Sequence, residues 1–463
     1  MKNIYFITGS QNLYGEDTLK QVTYDSKVIV EFLSSNLANI IQVIWKPTVK
    51  SGEEILSICQ EASIDPDCVG VITWMHTFSP AKMWIKGLQR LNKPLLHLHT
   101  QNVEQLPYAT IDMNYMNLNQ SAHGDREFGF ILKRLNIFHY TVVGFYKHEH
   151  VISDIKRFCE ISKAIDFSKN LKVAMFGNNM REVAVTDGDR VESQIRFGWE
   201  VNYYGIGDIV DLVSGVTRDE IADQLNEYKS KYQMNPLDIS EIEEQAKYEV
   251  AFSKFINETQ IGAFCDTFED LHGLKQLPGL AVQNLMDKGI GFAPEGDYKT
   301  AALGALLMKM AETRDGATGF IEDYTYDLSL GEELELGSHM LEVSPRFAAN
   351  KPKIEVHSLG IGGKDAPARL VFDGVTGPGI QVTMIDLGTH FRLIVANIEL
   401  VQSRNMPKLP VARLMWKVKP DFITGVKAWL ENGGGHHSIV STALTMDDID
   451  MFAKLTGTEI IKI

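Results

Sequence analysis

Short apolar runs separated by amphipathic stretches recur through the first 315 residues, and no other feature limits the fold as strongly. Runs at 4–8, 40–45, 69–74, 94–97 and 141–143 read as strands, with helix-like segments between them such as 53–61 and 81–91. Strand and helix in alternation form βαβ units and a mainly parallel sheet. The run Val69-Gly70-Val71-Ile72 lacks polar alternation, as a parallel strand covered on both faces should. The rhythm restarts at Leu171, after the polar stretch 166–170. Here strands are expected at 172–176, 201–204, 262–265 and 290–293, and helices at 187–197, 220–232 and 240–256. Residues 298–312, rich in Ala, Leu, Met and Lys, read as a strong helix with Asp297 as its N-cap.

The texture changes near Gly316. Strand-like runs at 333–335, 340–343, 353–357, 369–372, 380–387 and 391–400 are separated by Gly and Pro turns. Helices are expected at 423–430 and 446–455. The fold class is therefore α/β: two parallel-sheet domains, 1–170 and 171–315, followed by a β-rich, mainly antiparallel domain, 316–463.

Charge narrows the function. Lys and Arg number 45 against 60 Asp and Glu, a net charge of −15. Nucleic acids and anionic membranes reward positive charge, so neither is expected as a partner. No apolar stretch is long enough to span a bilayer, and the first apolar run is too short for a signal-peptide core. Cys59, Cys68, Cys159 and Cys265 form no CxxC pair and read as buried reduced thiols of a cytoplasmic protein.

The glycine-rich stretches do not make a nucleotide site. In Gly360-Ile361-Gly362-Gly363-Lys364-Asp365, Ser358 stands where a phosphate loop needs its first Gly, and Asp365 where it needs Ser or Thr. That stretch reads as a turn between strands. Gly205-Ile206-Gly207 lacks the third glycine of a dinucleotide fingerprint.

Polar residues of catalytic type lie where strands end. Glu295 follows the strand at 290–293 and precedes the helix capped by Asp297, where open α/β sheets bind ligands. Glu322 lies between apolar residues in Phe320-Ile321-Glu322-Asp323-Tyr324. Strict alternation places His339 on the face of Leu341 and Val343. His436-His437 follows Gly433-Gly434-Gly435. Two Glu and two His suit a divalent ion such as Mn²⁺. Their spacing contains no short chelating interval, so taken singly each has a solvated, salt-bridged or hydrogen-bonded alternative.

Longer stretches carry more. Gly9-Ser10-Gln11 with Leu13-Tyr14-Gly15, the segments 73–84, 116–124, 179–189 and 267–279, Glu295-Gly296-Asp297, 322–326, 337–343 and 433–437 together resemble the L-arabinose isomerase family. The resemblance covers nearly the whole chain. It implies a Mn²⁺-dependent aldose–ketose isomerase that converts L-arabinose to L-ribulose, and D-galactose to D-tagatose, through an ene-diolate. It implies Glu295 and Glu322 as catalytic residues, and Glu295, Glu322, His339 and one of the adjacent histidines as metal ligands. His437 corresponds to the family ligand, and on a strand only one of the two would face the site. Gln11, Met180 and Phe268 match positions lining the sugar pocket. His123 matches a position reached from an adjacent subunit of a homo-hexamer.

The sequence departs from the family pattern at Asn12, Pro294 and Gln101-Asn102-Val103, and it ends at Ile463. These differences bear on substrate preference and assembly. Two other readings follow from the same residues: an isomerase of the same fold acting on another sugar, such as L-fucose, and a non-catalytic sugar-binding protein.

Overall fold

Parallel strands without polar alternation must be covered on both faces, and the computed structural model, which describes residues 1–463, shows how the chain does this. It divides into two compact units, 1–166 with 450–457, and 167–449 with 458–463.

The first unit is built on five parallel strands: β1 (Asn3–Gly9), β2 (Gln42–Trp45), β3 (Cys68–Met75), β4 (Leu95–His99) and β5 (Tyr140–Val143). Their order is β2-β1-β3-β4-β5. Every residue of β1 and β3 is buried. The order reverses between β1 and β3, which opens a crevice at their carboxyl ends. The helix expected over 81–91 is shorter, a 3-10 turn at Ala81–Trp84 running into Ile85–Leu88. All four cysteines are buried and free.

The second unit holds a four-stranded parallel sheet and a barrel. The sheet contains β6 (Lys172–Phe176), β7 (Glu200–Tyr204), β8 (Ala263–Asp266) and β9 (Gly291–Ala293), in the order β7-β6-β8-β9. The glycine-rich stretch at 360–363 is a turn between β12 (Lys353–Val356) and β13 (Ala368–Val371). Its Lys364 donates to Leu271 O and Leu274 O, at 2.6 and 2.8 Å, and so serves as a tether.

The barrel is formed by β10 (Thr318–Asp327), β11 (Leu334–Ser338), β14 (Gly377–Asp386), β15 (Phe391–Val401), β16 (Arg413–Val418) and β17 (His437–Ser441). The antiparallel order β14-β17-β10-β11-β16-β15 closes through the β14–β15 pairing. Closure leaves no free edge among these six strands. β18 (Glu459–Lys462) adds to β15 in parallel. The helix Tyr298–Met310 packs against both β9 and β10, which explains why it is apolar nearly all round.

Two expectations change here. Residues 340–343 are not a strand: β11 ends at Ser338, and His339 lies just beyond it in irregular chain. The alternation with Leu341 and Val343 therefore does not orient His339. The strands β10, β16 and β17 were not anticipated. In β10 the acidic pair Glu322-Asp323 interrupts the apolar pattern, and the register shifts between Asp323 and Thr325.

Half-buried Asp323 and buried Glu335 form an acidic pair in this barrel. Burial pushes the Glu335 carboxyl up from 4.5 to about 7. Burial, then the charge of Glu335, pushes Asp323 well above the usual carboxylate range. A raised folded-state pKa means stability is present below about 4.5 and is lost as pH rises to about 7. Glu335→Gln is therefore expected to gain stability over the native chain as pH rises, on the order of 3 kcal/mol at pH 8. Unfolding midpoints of both proteins at pH 5 and pH 8 test this. A gap that does not widen between them contradicts it.

Candidate functional site

The carboxyl ends of β6, β8 and β9 define one rim of the site. Met180 follows β6, Phe268 follows β8 and Glu295 follows β9. Glu295 has a positive φ of 61°, a conformation costing a non-glycine residue about 1–2 kcal/mol. Several contacts hold it there. Met180 N donates to Glu295 O at 3.0 Å, and Gly296 N to Asp266 O at 2.8 Å. Gly296, with φ 73°, lies so close to the 178–179 backbone that a Cβ would sit 2.5 Å from Asn178 O. This bend turns the Glu295 side chain towards the barrel histidines rather than along the strand.

The barrel supplies the opposite rim. Glu322 in β10 pairs in register with His437, the first residue of β17. Glu322 Oε2 lies 3.9 Å from His339 Nε2, and Glu295 Oε2 lies 3.8 Å from His437 Nε2. Phe320 packs edge-on against both imidazoles, with ring centres 5.6 and 5.3 Å away. The structure thus brings Glu295, Glu322, His339 and His437 to one place.

Each histidine is held from behind by a carboxylate. His437 Nδ1 meets Asp297 Oδ2 at 3.1 Å, and His339 Nδ1 meets Glu342 Oε2 at 2.5 Å. A carboxylate only accepts, so Nδ1 carries the proton and Nε2 points into the site. His437 is 1% exposed, and its Nε2 has no hydrogen-bond partner. Burial would raise the Asp297 carboxyl, but Lys299, the bond to His437 and Thr300 hold it well below the usual range. Asp297 also caps the helix Tyr298–Met310 by accepting from Thr300 N at 3.2 Å. Burial would lower the His339 imidazole, but Glu342, then Glu322 and Glu295, push it up to about 9. Burial opposes ionisation of Glu295 too, and the hydrogen bond from His436 with the charges of the nearby histidines outweighs it and lowers its pKa.

His436 behaves differently from the strand expectation. It precedes β17, so alternation does not apply, and its Nε2 lies 3.5 Å from Glu295 Oε2. Both adjacent rings thus face Glu295, His437 buried and His436 half-buried. Phe268 shares a cleft with Asp266, Pro294, His339 and Glu342. Sequence pattern does not single out Asp297 or Glu342 as site residues. The cap role explained Asp297, and the signal in Glu342 is its place three residues after His339.

Gln11 and His123 lie in the first unit, near the carboxyl ends of β1 and β3. Gln11 Nε2 donates to Phe78 O at 3.1 Å, and the His123 ring stacks on Phe78 at 4.6 Å. The two thus meet around one aromatic residue at the switch point of that sheet.

Two carboxylates and two imidazoles, with one buried nitrogen lacking a partner, form a donor set that fits a divalent ion. Comparison with known proteins bears on what such a site does. Profiles of the L-arabinose isomerase N-terminal, central and C-terminal domains match residues 1–170, 172–313 and 317–459. An L-arabinose isomerase of Oceanobacillus iheyensis is 49% identical over 100% of this chain and 98% of its own length. One from Geobacillus stearothermophilus is 50% identical over 99% and 94%, and L-arabinose isomerase 2 of Clostridium acetobutylicum 49% over 99% and 95%.

Proposed function

Because the chain belongs to the L-arabinose isomerase family, we propose that it is a metal-dependent isomerase converting L-arabinose to L-ribulose, and D-galactose to D-tagatose, through an ene-diolate. The convergence of Glu295, Glu322, His339 and His437, with Asp297 and Glu342 behind the imidazoles, carries this reading. These four side chains would hold Mn²⁺, which when bound supplies Lewis-acid stabilisation of the negative charge that develops on the sugar oxygens.

The remaining work falls to the chain's own groups. A proton leaves C2 of the open-chain aldose and is returned to C1 of the ketose, while another moves between O2 and O1. Glu295 and Glu322 carry these two transfers, each worth about 10²–10⁴ in rate. His436, beside Glu295, helps keep that carboxylate ionised and ready to accept. Met180 and Phe268 border the sugar. Gln11 lines the sugar pocket with them, and His123 acts as a contact reached from an adjacent subunit of a homo-hexamer.

Exposed apolar side chains support an assembled state. Tyr108, Met113 and Met116 are 82%, 67% and 54% exposed, and the helix Met113–Leu118 buries no residue. Domain limits at 170 and 315 and a cytoplasmic location belong to the same reading. No helix is long and apolar enough to cross a membrane.

A ketose assay on L-arabinose and D-galactose, with Mn²⁺ and with chelator, tests the function. Ketose from L-arabinose that disappears with chelator is expected, from a protein sedimenting as a hexamer. No ketose from either sugar contradicts the activity, turnover indifferent to chelator contradicts the metal, and a monomer contradicts the shared site.

A further inference from the structure

A second cluster of metal-ligating type lies in the first unit, built from residues given no role above. His97 and His99 are two apart on β4, so both project from one face of the sheet. Asp125, in the second turn of the helix Ser121–Arg134, meets them there. His97 Nε2 is 3.1 Å from Asp125 Oδ1, and His99 Nδ1 contacts Asp125 Oδ2. One ligand atom from each residue lies within 4.8 Å of the others.

The hydrogen-bond arrangement is unusual for an ordinary buried His–Asp pair. Thr73 Oγ1 lies 3.1 Å from His97 Nδ1 and 3.4 Å from Leu96 O, and so anchors the far edge of the His97 ring. On its other edge, His97 Nε2 faces a carboxylate oxygen of Asp125. Neither His97 Nε2 nor Asp125 Oδ1 has a hydrogen-bond partner, although they are within reach of each other. Both residues are more than nine-tenths buried. A buried imidazole nitrogen and a buried carboxylate oxygen this close, each without a hydrogen-bond partner, suit a cation on which both converge. His99 gives access, since it lines a cavity of about 270 Å³ with Thr100, Gln101, Glu104 and Ser121.

We propose that His97, His99 and Asp125 form a second metal site of the zinc class. Two imidazoles and one carboxylate are a usual Zn²⁺ donor set, with a fourth position left for water from the cavity. The ion would clip the helix Ser121–Arg134 to β4. It would thereby set the first turn of that helix, which carries His123. The role is separate from the Glu295 site and does not depend on it.

The test uses the full chain carrying Glu295→Gln and Glu322→Gln, which removes both carboxylate ligands of the other candidate centre. After stripping and dialysis against micromolar Zn²⁺, elemental analysis is expected to find one ion per chain. Co²⁺ in its place should give the intense visible bands of a four-coordinate site. Adding His99→Ala, or separately Asp125→Asn, should abolish the retained ion and the bands. His99 is partly exposed, so its variant keeps the test valid if the buried Asp125→Asn does not fold. No retained zinc in the double variant overturns the proposal, as does zinc that survives His99→Ala undiminished.

Discussion

Glu295→Gln is expected to lower kcat for ketose formation by about 10³-fold or more, with added Mn²⁺ and an intact fold. The amide has the same shape and keeps the positive φ, so the bend at 294–296 should hold and thermal unfolding should change little. What disappears is the basic oxygen that accepts a proton and one negative charge facing His436 and His437. If Glu295 only balanced the histidine charge, as a structural ion pair would, turnover would fall by less than tenfold. Rates of the native chain and the variant, at saturating arabinose over a range of Mn²⁺, separate the two. A loss that excess Mn²⁺ restores would assign Glu295 to metal holding alone.

Asp297→Asn and Glu342→Gln should each weaken metal binding about 10–100-fold, although neither side chain is proposed to touch the ion. Their carboxylates accept from Nδ1 of His437 and His339 and so keep each Nε2 aimed into the site. An amide can donate as well as accept, and a donated bond to Nδ1 would turn the wrong nitrogen inward. Asp297→Asn has a further effect. Lys299 is fully buried and would lose its counter-charge, keeping only neutral acceptors such as the carbonyls of Val185, Thr186 and Asp187, at 3.1, 2.9 and 2.7 Å. That variant should therefore also lose stability, whereas Glu342→Gln should mainly lose affinity. Calorimetric Mn²⁺ titration, paired with kcat at saturating metal, checks the assignment. Unchanged affinity in Glu342→Gln would remove its positioning role.

The parts of the fold visible in the sequence are those set by local period. The strands of both parallel sheets lie within one or two residues of the apolar runs that announce them. The cap at Asp297 was legible because a cap is a short-range hydrogen bond. The barrel was legible only in part. Strands β14 and β15 form one long hairpin with strong apolar content, but β10 turns Asp323 towards the buried Glu335, and no local rule predicts a buried carboxyl. The expected strand at 340–343 failed because the bond between His339 and Glu342 needs a tight non-extended segment.

The chain by itself determined two α/β rhythms, a β-rich end and the stretches that carry the family resemblance. These depend on side-chain period and residue identity, which act between neighbours. Only the tertiary structure decided that both adjacent histidines reach Glu295, that Asp297 and Glu342 stand behind the ligands, and that His97, His99 and Asp125 meet. Such meetings join residues far apart in the chain, such as Asp297 and His437, 140 positions apart. Their geometry is fixed by how sheet, helix and barrel pack, and period along the chain carries no record of it.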